Sequence, residues 1–146
     1  MNTTIQRFSL LALLAGLSLA STAQAAGDAK RGAQVFDDEC SDCHTSTAGG
    51  KNGKGPALFG LVGRSAGSVP GYDYSDANKA SHFVWTPEQL EAYLPNPKAA
   101  IPGTKMRYSG IKDAAERADA IAFLSATPEQ IYVAGSGLPE QSVPSV

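Results

Sequence analysis

Cys40-Ser41-Asp42-Cys43-His44 sets two thiols three positions apart and an imidazole directly after the second, and these are the chain's only two cysteines. A disulfide between them would be strained and reactive, as in dithiol oxidoreductases. Those enzymes place C-x-x-C after a strand and before a helix in a βαβ context. Here the run from Asp28 to Glu39 reads as helix, and no β-α-β pattern is visible. Zinc is the sharper alternative, but two Cys and one His supply three ligands where a structural site takes four. C-x-x-C-H is the attachment signal of c-type haem. Two thiols at a helix end can add to the two vinyl groups on one porphyrin edge, with His44 beneath the ring plane pointing at the iron.

The rest of the chain reads as helices tied by long loops. Asp28 is a candidate N-cap, and Gly32, Val35 and Phe36 share one face, so a helix is expected to about Cys40. Residues 41–71 are rich in Gly, Lys, Ser and Pro around the short apolar knot Leu58 to Val62, which suggests loop with at most one helical turn. Thr86-Pro87-Glu88-Gln89 is a capping-box pattern with Pro at the first helical position. Leu90, Tyr93 and Leu94 form the stripe of that helix, and Pro95 ends it. A short helix is expected over Asn96 to Ala100, and a third long one from Lys112 to Ser125. Loops this long are uncommon in a small domain unless a large buried ligand supplies part of the core.

The termini read differently. Arg7, an apolar run of 13 residues from Phe8 to Ala20, and Ala23-Gln24-Ala25 form a secretory signal peptide over residues 1–25. The apolar run is too short to span a bilayer comfortably, and no later segment is apolar enough. Residues 26–128 form the folded domain, and residues 129–146, without periodicity, a flexible extension. This export signal predicts a soluble protein in a bacterial periplasm, and a monomer is expected. Removing Arg7 with the leader leaves 11 of the 12 basic residues against 14 acids, a formal charge of −3 that gives no hint of nucleic-acid binding. Asp37, Asp38, Glu39 and Asp42 crowd the first cysteine, while Lys51, Lys54, Lys79, Lys98 and Lys105 lie on later segments.

A second axial ligand decides what an attached haem does. An open position favours gas binding or peroxidase chemistry; a Met closes it and raises the potential. Beyond the leader the one Met is Met106, in a Pro/Gly loop outside any apolar stripe. Packing and ligation both remain open for it on this evidence. His82 is the competing ligand, beside Phe83.

Taken in register, these stretches resemble the class I cytochrome c family of mitochondria and of bacterial photosynthetic and respiratory chains. The resemblance runs from about Gly27 to Pro128. It is carried by Gly27-Asp28-Ala29, Gly32 and Phe36; by Cys40 to Thr45; by Gly55-Pro56 and Leu58; by Gly60 to Arg64; and by Pro70 to Lys79. Trp85, Tyr93-Leu94, Asn96-Pro97, Ile101 to Met106, Gly110 to Lys112 and Glu116 to Asp119 continue it. It implies an all-α, single-domain fold with three main helices and one or two short ones around a covalent haem c. It implies Met106 as the second metal ligand opposite His44. It also implies that the Pro56 carbonyl accepts from the His44 ring, and that Tyr74 and Trp85 bond the haem propionates with Arg64 nearby. Asn78, Tyr93 and Thr104 would line the Met side, and Gly32 and Phe36 would meet the last helix. The implied function is one-electron transport, not enzymatic catalysis. Expected partners are redox proteins such as a bc-type complex, a terminal oxidase, a reaction centre or a periplasmic dehydrogenase. Lys51, Lys54, Lys98 and Lys105 are expected to border the docking face. The chain departs from its mitochondrial relatives in having fewer lysines and a longer tail.

Overall fold

The computed structural model describes residues 27–126; the leader and the C-terminal extension expected from the sequence lie outside them. Five helices follow in order: α1 Ala29–Glu39, α2 Asp76–Lys79, α3 Pro87–Tyr93, α4 Pro97–Ala100 and α5 Ala114–Ser125. Among the described residues the β structure is one isolated antiparallel bridge, Ser65 with Val84. The all-α architecture expected from the sequence is what the chain adopts.

Each long helix starts where a side chain can take up free backbone N–H groups. The Asp28 carboxylate accepts from the amides of Lys30 and Arg31 at 2.8 and 3.1 Å. Asp113 does the same for Ala115 and Glu116. That cap starts α5 at Ala114, two residues later than expected. Lys112 instead turns its ammonium to the carbonyls of Pro95 and Ser109. Thr86 Oγ1 accepts from Gln89 N–H at 3.2 Å, and Pro87 opens α3. The sequence reading missed α2. Four residues are too few for a periodic signal, and its start is marked only by Ser75, whose hydroxyl caps the Asn78 amide.

The largest helix–helix interface joins α1 to α5. Gly32 and Phe36, one turn apart, are the buried residues of α1. A Cβ at Gly32 would stand 1.9 Å from the carbonyl oxygen of Asp119, so the two backbones meet there with room only for hydrogen. Phe36 packs on Phe123 with ring centroids 5.4 Å apart. At the edge of this crossing buried Asp119 accepts from the Asp28 amide and, through both oxygens, from the Arg31 guanidinium at 2.7 and 2.9 Å.

The Arg31 hydrogen bond first, and the Asp28 amide second, hold the Asp119 carboxyl below its usual 3.8. A lowered folded-state pKa adds stability that is complete above the unfolded value and is lost as pH falls through the folded one. Asp119→Asn is therefore expected to be less stable than the parent above about pH 4. The gap should narrow as pH falls below that, in urea melts taken across the acid range.

The remaining core gathers Leu61, Leu90, Tyr93, Leu94, Ile101, Ile111 and Ala120. The long loops over residues 41–75 and 101–113 wrap the other side of this cluster and leave a cavity between them.

Candidate haem-binding site

The cavity has a volume of about 470 Å³, in the range of built ligand pockets. Cys40, Cys43, His44, Pro56, Arg64, Tyr74, Asn78, Trp85, Tyr93, Thr104 and Met106 all line it. The fold thus brings every site residue picked from the sequence to one place. His82 is not among them; it is exposed, with φ of 49°.

One wall descends from the end of α1. The amides of Cys43 and His44 both bond back to the Cys40 carbonyl, at 3.1 and 3.0 Å, so the motif continues as a tight turn. Cys40 is half-buried and Cys43 exposed, and the two form no disulfide. Burial, with Glu39 and Cys43 adding to it, pushes the Cys40 thiol up to about 11. Reactive dithiols depend on the opposite shift, so this microenvironment does not suit thiol-exchange chemistry.

His44 is seated by its neighbours. Its Nδ1 lies 2.7 Å from the Pro56 carbonyl oxygen. A carbonyl only accepts, so the proton is on Nδ1 and the Nε2 lone pair is free for a metal. Burial holds the imidazole pKa below its usual value, with the Pro56 bond opposing, which keeps the neutral ligand form. Gly55 makes the seat possible: a Cβ there would fall 2.3 Å from His44 Cε1.

The other wall carries Met106, half-buried on the loop after α4. Tyr93 Oη donates to its sulfur at 3.1 Å. Burial pushes the Tyr93 hydroxyl up to about 12, against an opposing hydrogen bond to Thr104, so it remains a donor at neutral pH. Asn78 Oδ1 accepts from Ser75 Oγ at 2.8 Å and Thr104 Oγ1 at 3.0 Å. Thr104 Oγ1 in turn accepts from the Met106 amide at 3.3 Å. This chain of bonds fixes the loop on which the thioether sits.

Between the walls, Leu61, Leu90, Leu94 and Leu124 supply apolar surface. Trp85 is held edge-on between Phe83 and Tyr93, with centroids 4.8 and 4.9 Å away. Tyr74 packs edge-on to Tyr72. Arg64 donates to the carbonyls of Ala57 and Phe59 at 2.8 and 3.0 Å, pinning the loop beneath the cavity, and burial lowers its pKa. At the rim, Lys54, Lys105 and Arg107 stand with Glu39 and Asp42; Lys51 and Lys98, expected there, do not line the cavity. Sequence reasoning missed Ser75, Tyr72 and Tyr108. Tyr108 had a signal, since residues two apart in an extended segment share a side.

Two thiols at the end of a helix, an imidazole with a free Nε2, a thioether and an apolar chamber of this size fit a porphyrin carrying iron. Among the described residues no group of three or more His, Cys, Asp or Glu side chains converges on a metal-sized site.

Residues 29–128 match the family model described as Cytochrome c. The chain belongs to the cytochrome c family. A cytochrome c of the fungus Gibberella zeae is 52% identical over 100 residues, covering 68% of this chain and 94% of that protein. That of Arabidopsis thaliana is 52% identical over 98 residues, covering 67% and 88%. That of Euglena viridis is 49% identical over 98 residues, covering 67% and 95%. As a class I cytochrome c the chain carries haem c, with Cys40 and Cys43 at the attachment positions. It is an electron carrier and not an enzyme.

These relatives correct one expectation. They come from a fungus, a flowering plant and a euglenoid, all eukaryotes. The bacterial periplasm read from the apolar leader is therefore overturned. Leader composition reports the chance of export, and it does not identify the cell or compartment.

Proposed function

We propose that the chain shuttles single electrons between redox proteins of a respiratory chain, and that His44 and Met106 would hold its haem iron. What supports this reading is that two candidate ligands, each held by a hydrogen bond, line one cavity. The Pro56 carbonyl leaves His44 Nε2 free, and Tyr93 holds the Met106 sulfur, on the walls of one cavity. When bound, the haem iron supplies a one-electron couple, and thioether ligation favours its reduced form. The protein's part is to keep both ligands in place in either oxidation state. The Ser75–Asn78–Thr104 hydrogen bonds and the Gly55 seat serve that end, and the leucine lining excludes water. Arg64 and the Tyr74 and Trp85 side chains would receive the propionates.

Docking would use the cavity rim. Its charges are mixed: Lys54, Lys105 and Arg107 against Glu39 and Asp42. Lys105 is paired with Asp73. Candidate partners are a bc-type complex and a terminal oxidase, with a photosynthetic reaction centre also compatible. Small, brief, charge-guided encounters are the physical expectation. Reduction and oxidation kinetics against isolated membranes test this. The rates should fall with added salt less steeply than for a lysine-ringed carrier. Absence of electron exchange with any membrane redox complex would reject the reading.

We also propose that residues 1–25 are a cleaved leader and that the haem domain occupies residues 26–128, with 129–146 an extension to it. N-terminal sequencing of the purified protein should begin near Ala26. No helix among the described residues is long and apolar enough to cross a membrane.

A further inference from the structure

Tyr108 stands two residues after Met106. Its hydroxyl donates to Glu39 Oε2 at 2.6 Å, across 69 positions of sequence. Glu39 is the last residue of α1, directly before Cys40, and both partners of the bond line the cavity. The other fastenings of this segment run to residues between 73 and 95. Thr104 bonds Asn78, Lys105 bonds Asp73, Met106 receives Tyr93, and Lys112 bonds Pro95. Among the described residues, Tyr108–Glu39 is the side-chain hydrogen bond that joins the Met106 segment to the wall bearing Cys40, Cys43 and His44. The segment is bounded by Gly103 and Gly110, with φ of 92° and 95°, conformations that glycine adopts without strain. Between these glycines side chains tie it to the rest of the fold. A carboxylate acceptor makes this tie stronger than a neutral one.

We propose that Tyr108 and Glu39 form a clasp that holds the Met106 segment shut against the cysteine-bearing wall, making Tyr108 a positioning residue for the sulfur ligand. This rests on the reading of Met106 as a ligand. An external ligand can reach the site only in the open state, so its apparent affinity scales with the open fraction.

The test is titration of the oxidised, haem-loaded protein with imidazole. Tyr108→Phe keeps the ring and removes only the donor; Glu39→Ala removes the acceptor. Each is expected to bind imidazole roughly three- to tenfold more tightly than the parent. The double variant should bind no more tightly than either single, because both break one bond. Glu39→Gln, which keeps a neutral acceptor in place of the carboxylate, should fall between the parent and Glu39→Ala. Parental affinity in Tyr108→Phe, or a double variant equal to the product of the singles, would overturn the clasp. The Met106 methyl resonance of the reduced parent separates the two readings. If it sits among ordinary methyl signals, Met106 is not a ligand and the reading beneath the clasp fails. If it is shifted by the haem ring and Tyr108→Phe changes nothing, the clasp alone fails.

Discussion

Met106→Ala is expected to lower the midpoint potential by on the order of 0.2 V, a part of the about 0.8 V that axial ligation commands. A thioether stabilises the reduced iron, and its loss leaves water or an external ligand to take the position. The sulfur-to-iron absorption of the oxidised protein should vanish with it. The substitution also removes half-buried packing next to Tyr93, so some stability is lost, about 2 kcal/mol. Met106→Leu separates the two effects. It keeps the apolar volume, so most of the stability returns, while the potential remains low. Potentiometric titration of the three proteins checks this. An unchanged potential in both variants would mean the sulfur is a packing group, and the closed carrier described above would be wrong.

Gly32→Ala is expected to destabilise the fold by about 3 kcal/mol or more, although one methyl is added to a helix interior. In an open helical site the same change stabilises by about 0.5–1 kcal/mol, so the sign itself is diagnostic. The cause is distance. The new Cβ would meet Asp119 O at 1.9 Å, Asp119 C at 2.6 Å and Phe123 Cβ at 2.8 Å. Two of these atoms are backbone and cannot turn aside. Relief requires α1 to move off α5, which loosens Phe36 on Phe123 and pulls the Asp28 amide from Asp119. Overpacking of this kind costs about 1–3 kcal/mol where side chains can yield, and more where they cannot. Native stabilities are only about 5–15 kcal/mol, so the loss should be plain in a denaturant midpoint. A midpoint equal to the parent's would show that the helices have slack the structure does not have.

Much of this was legible in the sequence because the informative residues are local. Caps at Asp28 and Thr86, Pro at the start of α3 and the apolar stripe of Leu90, Tyr93 and Leu94 act within a turn or two of chain. The candidate ligands were legible for another reason. C-x-x-C-H is a compact motif, and Met106 is the one Met of its region, set in a loop no packing pattern claims. The register of the resemblance then supplied Pro56, Arg64, Tyr74, Asn78, Trp85, Tyr93 and Thr104. Residue types alone would have left Tyr and Trp as core aromatics and Arg as a surface charge. What stayed hidden depends on long-range closure. The 1.9 Å approach at Gly32 and the bond from Tyr108 to Glu39 exist only once distant segments meet. The single turn of α2 was too short to show a period. The acidic residues beside the motif divide in the structure. Glu39 and Asp42 reach the cavity rim, while Asp37 and Asp38 stay exposed on α1.

The central claim is that Met106 closes the site opposite His44. Its most direct measurement is the NMR spectrum of the reduced, haem-loaded protein labelled at the methionine methyl. A methyl held over a porphyrin ring is strongly shielded. The account predicts one methionine methyl far upfield of every other methyl in the protein, lost in Met106→Leu. A Met106 methyl at an ordinary position in the reduced protein would contradict it.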